Sequence, residues 1–139
     1  MTPEQVFSIA NLIATAAWLL LVILPRQRWV TDTVTSVAVP LLFAIAYVGI
    51  VVTTFGRTPG GFTTLAAVAT LFSNPWALLA GWIHYLAFDL LIGTWEARDA
   101  RERGVPHLLL VPCLVLTFLF GPAGWLLYRG VRLTRKSAV

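Results

Sequence analysis

The chain has 139 residues, 58% of them hydrophobic and only 12% charged, with a formal net charge of +4. Globular domains carry about a quarter of their residues charged. This composition therefore excludes a soluble enzyme, a disordered chain and a disulfide scaffold, and leaves a small polytopic membrane protein. The charges are also clustered, with none between Gln5 and Pro25, Thr33 and Gly56, Thr58 and Phe88, or Gly104 and Tyr128. A pI of about 10.0 arises from short basic runs beside apolar segments, which suits anionic lipid headgroups better than nucleic acid. The single cysteine allows neither an internal disulfide nor a CxxC metal or redox motif.

The N-terminus lacks a basic stretch before its first apolar run, which argues against a cleaved signal peptide. Thr2-Pro3-Glu4-Gln5 reads as a helix start, with Thr2 as cap, Pro3 in the first turn and Gln5 completing a capping box. A first span is expected from about Gln5 to Leu24, ended by Pro25-Arg26-Gln27-Arg28-Trp29 at headgroup depth. A second runs from about Thr35 to Phe55, with Pro40 in its first turns. After Arg57-Thr58-Pro59-Gly60-Gly61, the stretch Phe62 to Phe72 is apolar but too short to cross a hydrocarbon core of ~30 Å. It reads as an interfacial or re-entrant helix stopped by Ser73-Asn74-Pro75. A third span, about Trp76 to Trp95, holds His84, Tyr85 and Asp89 and continues as a charged helix through Arg103. A fourth, about His107 to Tyr128, should kink at Pro112 and at Gly121-Pro122-Ala123-Gly124, and Arg129 to Lys136 forms a basic tail. The expected architecture is all-α: a polytopic membrane protein with four transmembrane helices plus one short interfacial or re-entrant helix, in a single domain over 1–139. With four spans the basic residues divide five against five, so the positive-inside rule sets no orientation.

Asp89 is the leading candidate for chemistry. A carboxyl inside a span costs ~2.5–3.5 kcal/mol on insertion scales and usually faces the bundle interior. The competing reading is an acid near the interface, paired with an arginine. At 100° per residue, Trp82, Tyr85, Asp89, Gly93 and Glu96 fall on one helical stripe. For Glu96 a surface pairing with Arg98 or Arg101 is the stronger expectation, with a ligand contact second. His84 lies about 140° around the helix from Asp89 by the same arithmetic, so the two would line different walls of a pocket. His84 and His107 are too far apart in depth to share a haem iron. No phosphate-binding glycine loop, nucleophile elbow or paired prenyl-diphosphate aspartates occur. Asn74 reads as a cap of the third span, Cys113 as apolar filler, and Asn11 and Thr15, beside Ala10, Ala14 and Ala17, as helix-packing residues.

Several stretches together resemble a known family. They are Gly60-Gly61-Phe62, Leu71-Phe72-Ser73-Asn74-Pro75, the run from Gly81-Trp82-Ile83-His84-Tyr85 through Asp89 to Trp95-Glu96-Ala97-Arg98-Asp99, and Gly121-Pro122-Ala123-Gly124-Trp125-Leu126-Leu127-Tyr128. The family is that of the plant abscisic-acid-deficient-4 protein, a plastid membrane protein needed to make neoxanthin from violaxanthin. The resemblance implies a small integral membrane protein that binds or isomerises a carotenoid or other isoprenoid lipid. Opening a carotenoid epoxide to an allenic alcohol needs an acid at the epoxide oxygen and a base for a carbon-bound proton, and no redox cofactor. A carboxylic acid kept neutral by desolvation suits the first role and an imidazole the second. On that basis Asp89 and His84 are the catalytic candidates, and Trp82, Tyr85, Glu96 and Asn74 the substrate-binding ones, with no metal and no cofactor. Expected partners are membrane lipids and a carotenoid-like apolar ligand, without nucleic acid; homo-oligomerisation is left open. The arginine-rich usage and the absence of a plastid transit peptide suggest a multi-pass protein of a bacterial inner membrane. The alternative is a non-catalytic membrane scaffold or accessory protein for a lipid or pigment pathway.

Overall fold

The computed structural model describes residues 1–134; Arg135 and Lys136 of the expected basic tail lie outside the described residues. Every regular element among them is helical. Helix α1 spans Pro3–Ile23 and opens with the expected capping box: Thr2 Oγ1 accepts from Gln5 N at 3.3 Å and Gln5 Oε1 from Thr2 N at 2.9 Å. Helix α2 spans Val30–Thr54. Its first nine residues, Val30–Ala38, form wider π-type turns, closed by bonds such as Val39 N to Val34 O. Helix α3, Leu65–Phe72, is shorter than the sequence suggests because Thr64 caps it, accepting from Ala67 N at 3.1 Å. None of its residues is buried.

Helix α4, Pro75–Glu102, is the central element. Half of its most apolar stretch is buried within the protein, against 28% for α1 and 17% for α2. The outer helices thus show most of their apolar surface to the surroundings, as lipid-facing helices do. Small residues set the contacts: Ala10, Ala14 and Ala17 of α1 are buried against α4. At Gly93 a Cβ would come within 2.5 Å of the Trp18 six-membered ring. Where α2 meets α4, Thr94 Oγ1 bonds Thr35 Oγ1 at 2.8 Å, and Arg98 reaches Asp32 at 3.0 Å and Ser36 at 3.2 Å.

Three helices, α1, α2 and α4, are long and apolar enough to cross a membrane. The expected fourth span is not one helix. It is divided into α5, His107–Phe120, and α6, Pro122–Leu133. At 1.5 Å per residue these measure about 21 and 18 Å, short of a ~30 Å core. Pro112 is carried within α5, and the break falls at Gly121, whose φ of +24° favours glycine. A kinked continuous helix would hold Thr117 and Gly124 two turns apart. Here Gly124 instead packs directly on the Thr117 main chain and hydroxyl, so α6 folds back along α5 as a helical hairpin.

Candidate functional site

One face of α4 meets this hairpin, and the polar residues of the face are spaced by one or two helical turns. Tyr85 and Asp89 lie at its tip, Glu96 midway and Asp99 at its base. Tyr85 donates its hydroxyl hydrogen to the carbonyls of Leu119 (3.2 Å) and Phe118 (3.3 Å), which the break leaves without helical partners. Glu96 is fully buried, and both of its oxygens lie within reach of the Thr117 hydroxyl, at 3.0 and 3.1 Å. Asp99 receives Tyr128 Oη at 2.7 Å, Arg132 Nε at 3.0 Å and Arg103 Nε at 3.0 Å. Tyr128 is itself fully buried and meets the Trp95 ring edge-on. Much of the polar stripe on α4 therefore fastens α5 and α6.

Asp89 differs from its neighbours. It lies near the middle of α4, at the N-terminal end of α6, against Gly121. A Cβ on Gly121 would stand 2.7 Å from Asp89 Oδ1, so glycine is demanded there by the carboxyl as well as by φ. The Tyr85 hydroxyl sits beside the carboxyl and interacts with it, while it also reaches the α5 carbonyls. Asp89 Oδ2 is shielded from solvent and accepts no hydrogen bond from the described residues. The expectation that this acid faces protein rather than lipid agrees with its place against Gly121.

The other candidates separate. His84 stacks between Tyr47 and Phe88, with centroid distances of 5.7 and 4.6 Å. It opens on a cavity of about 520 Å³ between α2, the 55–62 loop, α3 and α4. Trp82 and Tyr85 stack at 5.3 Å, and Phe7 of α1 continues the aromatic row at 5.6 Å from Trp82. Trp82 Nε1 donates to Asn11 Oδ1 at 3.0 Å, the interhelical bond expected of Asn11. This row lines a second groove, about 590 Å³, between α1, α3 and α4. The structure thus does not bring His84 and Asp89 together, as their azimuths foretold. Asn74 caps α4, its Oδ1 accepting from Trp76 N at 2.9 Å and Ala77 N at 3.2 Å, which occupies the side chain structurally. Glu96 is corrected from a surface partner of Arg98 or Arg101 to a buried partner of Thr117. Arg98 and Arg101 turn instead to Asp32 and Thr31 on α2.

Sequence reasoning missed Asp99, Thr117, Tyr128 and Arg132. Asp99 was within reach, since it extends the stripe three residues beyond Glu96. Its partners were not, because they depend on the reversal of the chain at Gly121. No group of three or more His, Cys, Asp or Glu able to hold a metal ion occurs among the described residues.

The model of the ABA DEFICIENT 4-like family matches residues 5–128. The chain belongs to that family. Comparison with curated proteins and with solved structures finds no match. The matched residues take in most of α1, all of α2 to α5 and most of α6, so the reversal at Gly121 and the Glu96–Thr117 and Asp99–Tyr128 contacts fall within the family region, while Arg132 lies beyond it. Membership, with three long apolar helices, supports a membrane protein.

The Glu96–Thr117 contact makes a prediction about the family region. Glu96→Gln keeps the size and one acceptor for the hydroxyl, and should leave thermal unfolding in detergent close to the parent. Glu96→Ala leaves the Thr117 hydroxyl unpaired beside a void and should cost about 1–3 kcal/mol. Equal unfolding temperatures for the two variants would contradict this arrangement.

Proposed function

We propose that this ABA DEFICIENT 4-like protein binds a carotenoid or related isoprenoid lipid between α1, α3 and α4, and isomerises it at Asp89. The observation that carries this reading is the Asp89 carboxyl, near the middle of a spanning helix, with one shielded oxygen lacking a partner. Glu96 and Asp99, by contrast, are each bonded to the α5–α6 hairpin. The apolar groove supports it, since it runs along Phe7, Trp82 and Tyr85, and Tyr85 adjoins Asp89. An elongated hydrocarbon would lie on the aromatic row with its oxygenated end toward the Tyr85–Asp89 tip. Such sites are mostly apolar with a few convergent polar groups.

The chemistry implied by the family resemblance is the opening of an epoxide to an allenic alcohol. The protonated Asp89 carboxyl gives its hydrogen to the epoxide oxygen as the C–O bond breaks. A hydrogen leaves the neighbouring chain carbon, the carbon skeleton gains the new double bond, and the composition is unchanged. His84 faces another cavity, so the base in this reading is the second oxygen of the same carboxyl, which regains the proton. Tyr85 positions the carboxyl.

The test is expression in a host that accumulates an epoxy-carotenoid, followed by separation of the pigments. A new isomer of equal mass is expected. An unchanged profile, with the protein present in the membrane, would remove the isomerase reading. Pigment retained through purification would then support binding alone, and its absence would favour an accessory role.

A further inference from the structure

We propose that the protein crosses the membrane three times and that α5 and α6 re-enter from the face where α4 ends. Every arginine among the described residues except Arg57 would then lie toward the anionic headgroups of one leaflet. Three sets of contacts carry this. First, Gly124 packs on Thr117, so α6 runs back along α5. Second, α5 begins directly after α4, and α6 near its end returns Arg132 and Tyr128 to Asp99 in the last turn of α4. Both ends of the hairpin therefore lie at the same end of the bundle. Third, the tip meets Tyr85 and Asp89, near mid-depth of α4. Non-helical backbone at membrane depth persists only where protein or a wet cavity covers it, and here these two side chains supply the cover.

The hairpin breaks the tie in the charge count. The loop between α1 and α2 joins the same end through Arg26 Nη2 to Val105 O at 3.4 Å, and the start of α2 joins it through Asp32 to Arg98. That end gathers Arg26, Arg28, Arg98, Arg101, Arg103, Arg129 and Arg132 against Asp32, Asp99 and Glu102. The opposite end, where the start of α1 meets the end of α2 and the start of α4, holds Glu4 and Arg57. Trp29 and Trp95, toward the basic end, are both partly exposed, as residues of an interfacial belt are. The positive-inside rule then assigns the basic end to the cytoplasmic side and the start of α1 to the other. Cytoplasmic-leaflet anionic phospholipid is the partner whose charge fits this surface.

Single cysteines at Gln27, Pro59 and Thr134, all exposed positions, test the arrangement with a membrane-impermeant maleimide. The unsubstituted chain, whose one cysteine is buried, serves as the blank. Pro59→Cys should label in intact cells, and Gln27→Cys and Thr134→Cys only in inside-out vesicles. Thr134→Cys labelling from the same side as Pro59→Cys would overturn the hairpin, because a fourth span requires that result. Gln27→Cys labelling in intact cells would overturn the orientation. For the headgroup contact, phosphatidylglycerol added to the purified protein should raise its unfolding temperature above the value in phosphatidylcholine. The rise should shrink in the double variant Arg26→Gln/Arg28→Gln. No difference between the two lipids would overturn the docking surface.

Discussion

Gly124→Ala is expected to unfold the α5–α6 hairpin or force it open. The added methyl would meet the main chain of Thr117, which cannot rotate aside as a side chain can. Overpacking of a close helix contact costs ~1–3 kcal/mol and occasionally more, and this position should lie at or beyond the upper end. The loss would spread, because α6 also carries Tyr128 and Arg132 to Asp99. Gly130 on the same helix has open space around its α-carbon. Gly130→Ala should therefore be neutral or slightly stabilising, since alanine is the better helix former. Thermal unfolding of the two variants in one detergent makes the comparison. Similar unfolding temperatures would mean that α5 and α6 are not in close contact.

Asp89→Asn is expected to leave the protein folded and to abolish pigment conversion. The amide is nearly isosteric, and no ion pair to this carboxyl occurs among the described residues. The amide has no acidic proton to give to an epoxide oxygen. Removal of a positioned acid typically lowers a rate by 10²–10⁴-fold, so conversion should fall by about 100-fold or more. Glu96→Gln, two stripe positions away and held by Thr117, should convert pigment at close to the parent rate. Conversion unchanged in Asp89→Asn, with protein levels equal, would remove this carboxyl from the chemistry.

The spans of α1, α2 and α4 were legible because a hydrocarbon core demands about 20 residues nearly free of charge, and a helix facing water does not supply them. The start of α1 was legible down to single hydrogen bonds, since Thr2 and Gln5 sit at capping-box spacing. The azimuths on α4 were largely legible too: Tyr85, Asp89 and Glu96 share the hairpin face, and His84 lies off it. Gly93 does not join them, because the bulk of Trp18 on α1 claims the space that a side chain there would fill. The reversal at Gly121 was not legible. A Gly-Pro-x-Gly step can bend a helix or turn it back, and only the fit of Gly124 on Thr117 distinguishes the two. The error over Glu96 follows from that one, since a straight fourth span offers it no Thr117.

The wide-turn start of α2 has a consequence for comparing relatives. Each bond in Val30–Ala38 encloses one residue more than an α-helical bond does, and such turns arise when a residue is inserted into an α-helix. The segment can therefore be regarded as a length tolerance written into the chain. Thr31 and Thr35 are buried at the α4 contact, while Asp32 is half exposed and holds Arg98 and Arg101. A relative one residue shorter between Trp29 and Val39 would wind this turn as ordinary α-helix. Its counterpart of Asp32 would rotate away from the arginines, so alignments across this segment should show a gap and a changed charge together.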